Sequence, residues 1–330
     1  MVVLILAGLS LIVVASISPN LFWPQLLFFL AGLVLFFIHF KLDFEIYSAL
    51  SVPILAIATT SLIATFILGL ETRGSIRWIN LFGINLQFSE LAKPYIFSAL
   101  ASLVYHRGLK YLVLIFIPAF LILQQPDLGT TVVYLAGAGF MGFLGGVSLP
   151  ILILGVMGIS AAMPAIFYFL KDYQRQRILS FIYPSSDPLG SSYNAIQALI
   201  AVGSGMIFGK GVGHGTQSQL AFLPEKHTDF IFASFAEEFG LVGIILMLAC
   251  YTVLFWRLIK ILRRVQFGPE FLFIGASMGI LFAQVFINIG MNLGILPITG
   301  ITLPLVSYWG SSILSTLVVL GIVENVQSKV

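Results

Sequence analysis

The chain carries thirteen acidic side chains in 330 residues. An ionisable group at membrane depth is costly and is retained for a reason, so the acids inside or beside apolar runs are the first candidates for chemistry. They are Glu90, Asp127, Glu225, Asp229, Glu237 and Glu238. In Leu223-Pro224-Glu225-Lys226-His227-Thr228-Asp229-Phe230, two carboxylates precede a long apolar run. On a helix starting at Pro224 or Thr228, Glu225 and Asp229 share a face at i and i+4. A carboxylate placed between water and membrane can act as a general base, which makes Asp229 the candidate catalytic residue. The competing reading is a helix cap, or an ion pair with Lys226 or His227. Glu237 and Glu238 follow about 12 Å deeper on a continuous helix at 1.5 Å per residue, where one is expected to meet a buried base or a backbone donor.

The cations are placed to meet something anionic. Arg73, Arg77 and Trp78 fall in one short polar loop; Arg offers phosphate a planar fork and Trp favours the headgroup level, so an interfacial anchor is the plain alternative. Ser89-Glu90-Leu91-Ala92-Lys93 gives an apolar run an N-cap at Ser89 and an acid and base at i and i+3, which suits an internal ion pair. Asp127 stands at the start of the next run, where capping alone accounts for it. Arg175, Arg177 and the glycine-rich Gly209-Lys210-Gly211-Val212-Gly213-His214-Gly215 add cations and flexible backbone. That glycine stretch lacks the hydroxyl residue after its Lys that a nucleotide loop needs. Asn288, Asn292, Pro297, Gly300 and Ser307 mark a break before the last apolar run and read as structural. The one cysteine, Cys250, excludes disulfides, and no His/Cys set has metal spacing.

The elements that hold these residues follow from composition. With 59% hydrophobic and 9% charged residues and a mean hydropathy of +1.06, the chain cannot cover a water-facing surface. It is expected to be an all-α polytopic membrane protein, a single integral membrane domain over 1–330. A span needs about 20 apolar residues, and runs occur near 2–17, 22–39, 46–69, 88–104, 111–124, 128–146, 148–170, 229–256, 271–293 and 305–325. The first is read as a span and not as a signal peptide, since no basic n-region or cleavage site accompanies it. Ten spans put both termini on one side. Lys41, Arg107, Lys110, Arg257, Lys260, Arg263 and Arg264 collect there, against Arg73 and Arg77 opposite, so the termini are expected to be cytoplasmic. Residues 171–228 then form a long extracytoplasmic loop, with 190–208 an interfacial or re-entrant helix. A net charge of +3 without a dense basic block argues against nucleic acid.

Several stretches, taken in order, resemble the SEDS family, the RodA/FtsW-type peptidoglycan glycosyltransferases. They are Gly74-Ser75-Ile76-Arg77-Trp78-Ile79, Phe88-Ser89-Glu90-Leu91-Ala92-Lys93, Gln125-Pro126-Asp127-Leu128-Gly129-Thr130, the 173–197 loop, 223–232 and 288–312. Gly215-Thr216-Gln217-Ser218-Gln219-Leu220 looks more like the elongation (RodA) branch. The chain departs from the family pattern at Phe88 and Trp309, where Pro and Gly are usual. The resemblance implies ten spans, a site outside the bacterial cytoplasmic membrane, and lipid II as donor and acceptor. It places the family's essential acid on Asp229. It implies an inverting transfer in which undecaprenyl pyrophosphate leaves without a protonating acid. Arg77, Trp78, Lys93, Arg175, Arg177, Lys210 and His227 would then bind substrate, while Glu90, Asp127, Glu225, Glu237, Glu238, Asn292 and Ser307 support the site. The resemblance also implies a divalent cation, Mg2+ or Mn2+, to which Glu225 or Asp127 could be ligands, and a class B penicillin-binding protein as a partner through membrane helices. A lipid-linked precursor flippase or a non-catalytic scaffold for a transpeptidase would share the spans. A flippase would more often place its ionisable groups at the midplane of repeated halves.

Overall fold

In lipid an apolar run satisfies its backbone by closing its own hydrogen bonds, and the chain does this along most of its length. The computed structural model describes residues 1–72, 75–81, 83–169, 175, 179, 181–183, 192–220 and 222–329. Helices occupy all ten expected runs: Val2–Ile17, Phe22–Lys41, Ser51–Leu68, Lys93–Arg107, Phe116–Gln124, Leu128–Leu144, Leu149–Phe169, Ile231–Leu262, Pro269–Asn292 and Gly310–Ser328. Among the described residues, five stretches are long and apolar enough to cross a membrane, including Ser51–Leu68, Ile231–Leu262 and Pro269–Asn292, and several apolar helices are shorter. The Lys93–Arg107 helix is buried from Lys93 to Val104 on most sides, which is why its sequence is less apolar than those that face lipid. Pro94 lies in its first turn, where a missing N–H costs nothing. The Tyr193–Ser204 helix, at 12 residues, is too short to span, as its polar content suggested.

One element was not expected. Residues 70–86, read from the sequence as a loop, form a three-stranded antiparallel sheet of β1 (Leu70–Thr72), β2 (Ser75–Leu81) and β3 (Ile84–Leu86). Trp78 stands opposite Leu70, and Asn80 stands opposite Asn85, whose Oδ1 accepts from Asn80 Nδ2 at 2.8 Å. Arg77 is therefore carried on a strand.

The chain divides into two compact units, each assembled from three stretches: Met1–Leu26, Pro150–Leu254 and Gln284–Trp309 in the first, and Leu27–Leu149, Phe255–Ala283 and Gly310–Val330 in the second. In the first, Ala198 and Ala201 of the Tyr193–Ser204 helix pack on Leu223, Phe230 and Ala233, which ties the long loop to the start of the Ile231–Leu262 helix. In the second, Phe97 and Tyr134 meet with ring centres 5.6 Å apart, and Tyr134 donates to Ser89 O at 2.7 Å.

The Ile231–Leu262 helix is broken at Gly240, whose φ of 64° and ψ of −164° leave the helical region. A break strands backbone groups, and such a segment survives at membrane depth only where other protein satisfies them. Here the 206–211 segment does so pair by pair. Lys210 N–H donates to Glu237 O at 2.9 Å and Gly211 N–H to Glu238 O at 3.0 Å, while Leu241 and Val242 N–H donate to Met206 O and Ile207 O at 2.9 and 3.1 Å. The helical bonds from 241 to 237 and from 242 to 238 are thus replaced at both ends.

Candidate active site

The expected helix from Pro224 does not form. Glu225 has φ +54°, in the left-handed region, and turns the chain so that Thr228 and Phe230 N–H both donate to Glu225 O, at 3.1 and 3.2 Å. Residues 224–230 are turns and the helix starts at Ile231, so Glu225 and Asp229 do not share a helical face. The Glu225 carboxylate accepts from Thr228 Oγ1 at 3.0 Å. Asp229 is partly exposed, between the buried Thr228 and Phe230. His227 is also partly exposed, and its ring meets the Tyr308 ring edge-on at 5.7 Å. Lys226 donates to Ser218 O, and burial lowers its pKa from the ordinary lysine value while the Glu238 charge opposes that shift.

The deeper acids are engaged with this same loop, Glu237 through both oxygens and Glu238 through Oε1 alone, its Oε2 being buried without a hydrogen-bond partner among the described residues. Glu237 is buried and accepts from Gln217 N–H at 2.9 Å, Ser218 N–H at 3.0 Å, Ser218 Oγ at 2.8 Å and Lys210 Nζ at 3.0 Å. Glu238 accepts from Ser16 Oγ and from Gly213 N–H at 3.1 Å. The expectation that one of the two meets a buried base or backbone donor applies to both. The expectation for Lys210 is corrected: it faces a buried acid, because two adjacent carboxylates in an apolar helix need a cation more than the surface does.

Asn292 and Ser307 also lie in this unit and support the turn directly. Asn292 Nδ2 donates to Asp229 O at 3.1 Å, and Ser307 Oγ donates to Thr228 O at 2.8 Å. Arg175 is partly buried, and Arg177 lies outside the described residues.

The remaining candidates belong to the second unit. Asp127 caps the Leu128–Leu144 helix by accepting from Thr130 N–H at 3.0 Å. Its oxygens also take Thr130 Oγ1 at 2.9 Å and Gln87 Nε2 at 3.0 Å, with Arg77 Nη1 at 3.6 Å. Arg77 Nη2 donates to Pro126 O at 2.6 Å. Lys93 and Glu90 form a buried ion pair at 2.6 Å. Ser89 is not the cap of a span; it sits inside the short Phe88–Leu91 helix, buried. Trp78 is partly buried on β2. Arg77, like Lys210, is thus paired with an acid of its own unit, against the expectation that it faces no buried acid, while Lys93 forms the internal ion pair that its i, i+3 spacing from Glu90 suited.

Of the two acids named for a divalent cation, Asp127 does not fit one. Asp127 is ringed by N–H and O–H donors and a guanidinium, all of which repel a cation. Among the described residues no three or more His, Cys, Asp or Glu side chains gather as a metal group.

Gln87, Tyr308, Ser10 and Gln25 were missed as site-building residues. Ser10 Oγ donates to Val306 O at 2.7 Å, and Gln25 Nε2 donates to Ser307 O at 3.3 Å. The available signal was a polar side chain inside an otherwise apolar span.

Apolar helices that carry paired ionisable groups, with a partly exposed acid on a turn at a helix start, define a polytopic membrane protein with a site at the end of its spans. The chain matches the FtsW/RodA/SpoVE family, described as cell cycle proteins, over residues 1–330, and it belongs to that family. Peptidoglycan glycosyltransferase MrdB of Escherichia coli K12 is 41% identical over 307 residues, covering 90% of this chain and 83% of that protein. A chain from a structure described as the structural coordination of polymerization and crosslinking by a peptidoglycan synthase complex superposes with a TM-score of 0.84 at 31% identity, covering 99% of this chain and 96% of that one. The crystal structure of the rod shape determining protein RodA of Thermus thermophilus has a TM-score of 0.75 at 27% identity, covering 99% and 95%. The family suggested by the motifs is the one found, and this is a multi-pass protein of the inner membrane.

Proposed function

We propose that the chain is a peptidoglycan glycosyltransferase of the elongation branch, which polymerises lipid II at the outer face of the bacterial cytoplasmic membrane with Asp229 as general base. The names of its relatives support the reaction class. One structural observation supports the base: Asp229 keeps a partly exposed side chain on a turn whose backbone is held at every residue from His227 on.

In the reaction, the acceptor sugar hydroxyl gives its proton to the Asp229 carboxylate as its oxygen attacks the anomeric carbon of the donor. The bond to undecaprenyl pyrophosphate breaks, and that group leaves as an anion with inversion at carbon. It needs charge neutralisation and no acid. Arg175 and Arg177 of the long loop are the proposed pyrophosphate contacts, since a guanidinium offers phosphate a planar fork. A class B penicillin-binding protein is the proposed partner, in keeping with the synthase complex among the similar structures.

The test is polymer formation from purified lipid II by the reconstituted chain. Wild type is expected to make glycan strands, and Asp229→Asn is expected to lose at least about a hundredfold, since a positioned base contributes about 10² to 10⁴ in rate. Asp229→Asn activity within threefold of wild type removes Asp229 from the mechanism. Movement of lipid II across vesicles without polymer replaces the enzyme by a flippase.

A further inference from the structure

Three consecutive main-chain carbonyls lead into the candidate base, two taken by residues 307 and 308 and the third by two asparagines of the Pro269–Asn292 helix. Tyr308 N–H donates to His227 O at 2.8 Å, and Ser307 Oγ donates to Thr228 O at 2.8 Å. The Asp229 carbonyl receives two donors, Asn288 Nδ2 and Asn292 Nδ2, both at 3.1 Å. One donor satisfies a buried carbonyl, so convergence of two on the residue that bears the acid is more than bookkeeping of backbone polarity.

Asn288 is the joint of this arrangement. It is fully buried, and its Nδ2 also donates to Ile301 O at 2.7 Å, so one planar amide bridges the base's carbonyl and the 301–308 segment. Asn292, one turn further on, is aimed by Asn288 O, which accepts from its Nδ2 at 2.8 Å, and by Ala233 N–H, which donates to its Oδ1 at 3.2 Å. The 301–308 segment is fixed in turn. Ser10 Oγ holds Val306 O at 2.7 Å, Tyr251 OH holds Pro304 O at 2.6 Å, and Leu303 N–H donates to Ser307 Oγ at 2.8 Å.

Backbone strain is an independent sign. Glu225 and Leu305, one in each of the two segments so joined, have φ of +54° and +63°. Side-chain-bearing residues persist in the left-handed region where their surroundings over-determine them, and such residues cluster at functional sites.

We propose that Asn288 is a positioning residue for Asp229: its amide sets the distance from the Asp229 main chain to the 301–308 segment, and so sets where the carboxylate stands. Only two side-chain torsions separate that carboxylate from the clamped main chain. A displacement near 1 Å at a reacting group costs on the order of a hundredfold in rate, so loosening this clamp acts on kcat and leaves lipid II binding alone. The proposal rests on the reading of Asp229 as the base, and its test keeps the two apart.

Asn288→Ala and Asn292→Ala each leave the Asp229 carbonyl one donor, so the turn retains a partner in either variant. Both are expected to lower kcat for lipid II polymerisation at least tenfold, with KM within twofold. The matched control is Asn325→Ala in the other unit, where a buried Nδ2 donates to Phe40 O at 2.6 Å; it is expected to lower thermal stability and to hold kcat within twofold. A second readout does not need the reaction. In a Cys250→Ala background, the rate at which Asp229→Cys reacts with a small water-soluble thiol reagent is expected to change at least threefold on adding Asn288→Ala, and not on adding Asn325→Ala. If wild type makes no polymer, or Asp229→Asn remains active, the function proposed above fails while the thiol rate still decides the placement. Unchanged kcat in the folded Asn288→Ala and Asn292→Ala variants overturns the proposal. So does an unchanged thiol rate, or a loss of kcat in Asn325→Ala equal to theirs.

Discussion

A carboxylate can be buried cheaply only when its lone pairs are filled, and the acids of this chain differ in what fills them. Glu237 is filled by two backbone N–H groups, the hydroxyls of Ser218, Thr216 and Ser204, and one ammonium. Removing its charge should therefore cost more than removing Lys210, which is 28% exposed and leaves Glu237 its N–H donors. Glu237→Gln is expected to destabilise by about 3 kcal/mol, the lower end for breaking a buried pair. Lys210→Ala should cost about 1 kcal/mol, nearer an ordinary hydrogen bond, and leave KM for lipid II unchanged. Thermal unfolding in detergent and lipid II kinetics check both; a larger shift for Lys210→Ala, or a raised KM with normal stability, would return Lys210 to the substrate. The acids themselves were legible because a charge in an apolar run is conspicuous. Their partners were not, except where local, as for Lys93 with Glu90 at i, i+3. Lys210 and Glu237 are far apart in sequence, and nothing local says that Arg77 on a strand will reach Asp127 and Pro126. The capping role of Asp127 was legible, since capping is local by nature.

Among elements, the broken Ile231–Leu262 helix is the least conventional and the most exacting. Gly209 and Gly240 lie against each other where the 206–211 segment crosses the break. Gly209 has φ +78°, and a Cβ there would come 2.1 Å from Glu238 O, a backbone atom with no freedom to give. Gly213, a few residues on, has φ +80° but nothing within 4 Å of an added Cβ. Both alanine variants strain the backbone by about 1–2 kcal/mol, the cost of a side chain in the left-handed region. Only Gly209→Ala also pushes apart the bonds from Lys210 and Gly211 N–H, each buried group left unpaired costing about 1–3 kcal/mol more. Gly209→Ala is thus expected to unfold at a clearly lower temperature than Gly213→Ala, and equal shifts would mean that the segment does not hold the break together. From sequence this break is invisible, because a single Gly in an apolar run is ordinary in membrane helices. The sheet at 70–86 was missed for another reason. Its longest strand is Ser75–Leu81, too short beside two spans to show a period.

At the scale of the whole molecule, hydropathy was enough to locate the ten helical runs, five of them long and apolar enough to cross a membrane among the described residues. Assembly was another matter, since each unit draws on three separate stretches and hydropathy carries no information on which stretches meet. Orientation is the property on which the proposed reaction depends, and the basic residues at 257–264 supply the argument. With the Tyr193–Ser204 helix too short to cross, the Ile231–Leu262 helix carries the chain from the side of Asp229 to the side of Arg263 and Arg264. Positively charged short loops stay in the cytoplasm, and on that rule the proposed orientation has Asp229 facing outward. Leu220 is 65% exposed and Gln266 is exposed, which makes them the pair to label; Ser192 and Ser218 occupy the same loop as Leu220 but are buried and would report packing instead of side. In a Cys250→Ala background, Leu220→Cys in intact cells is expected to react with a membrane-impermeant thiol reagent, and Gln266→Cys is expected to react only after the membrane is opened. The opposite pattern would put Asp229 in the cytoplasm with no route to a sugar carried on the outer leaflet, and a glycan-polymerising role would fall with it however intact the site proved to be.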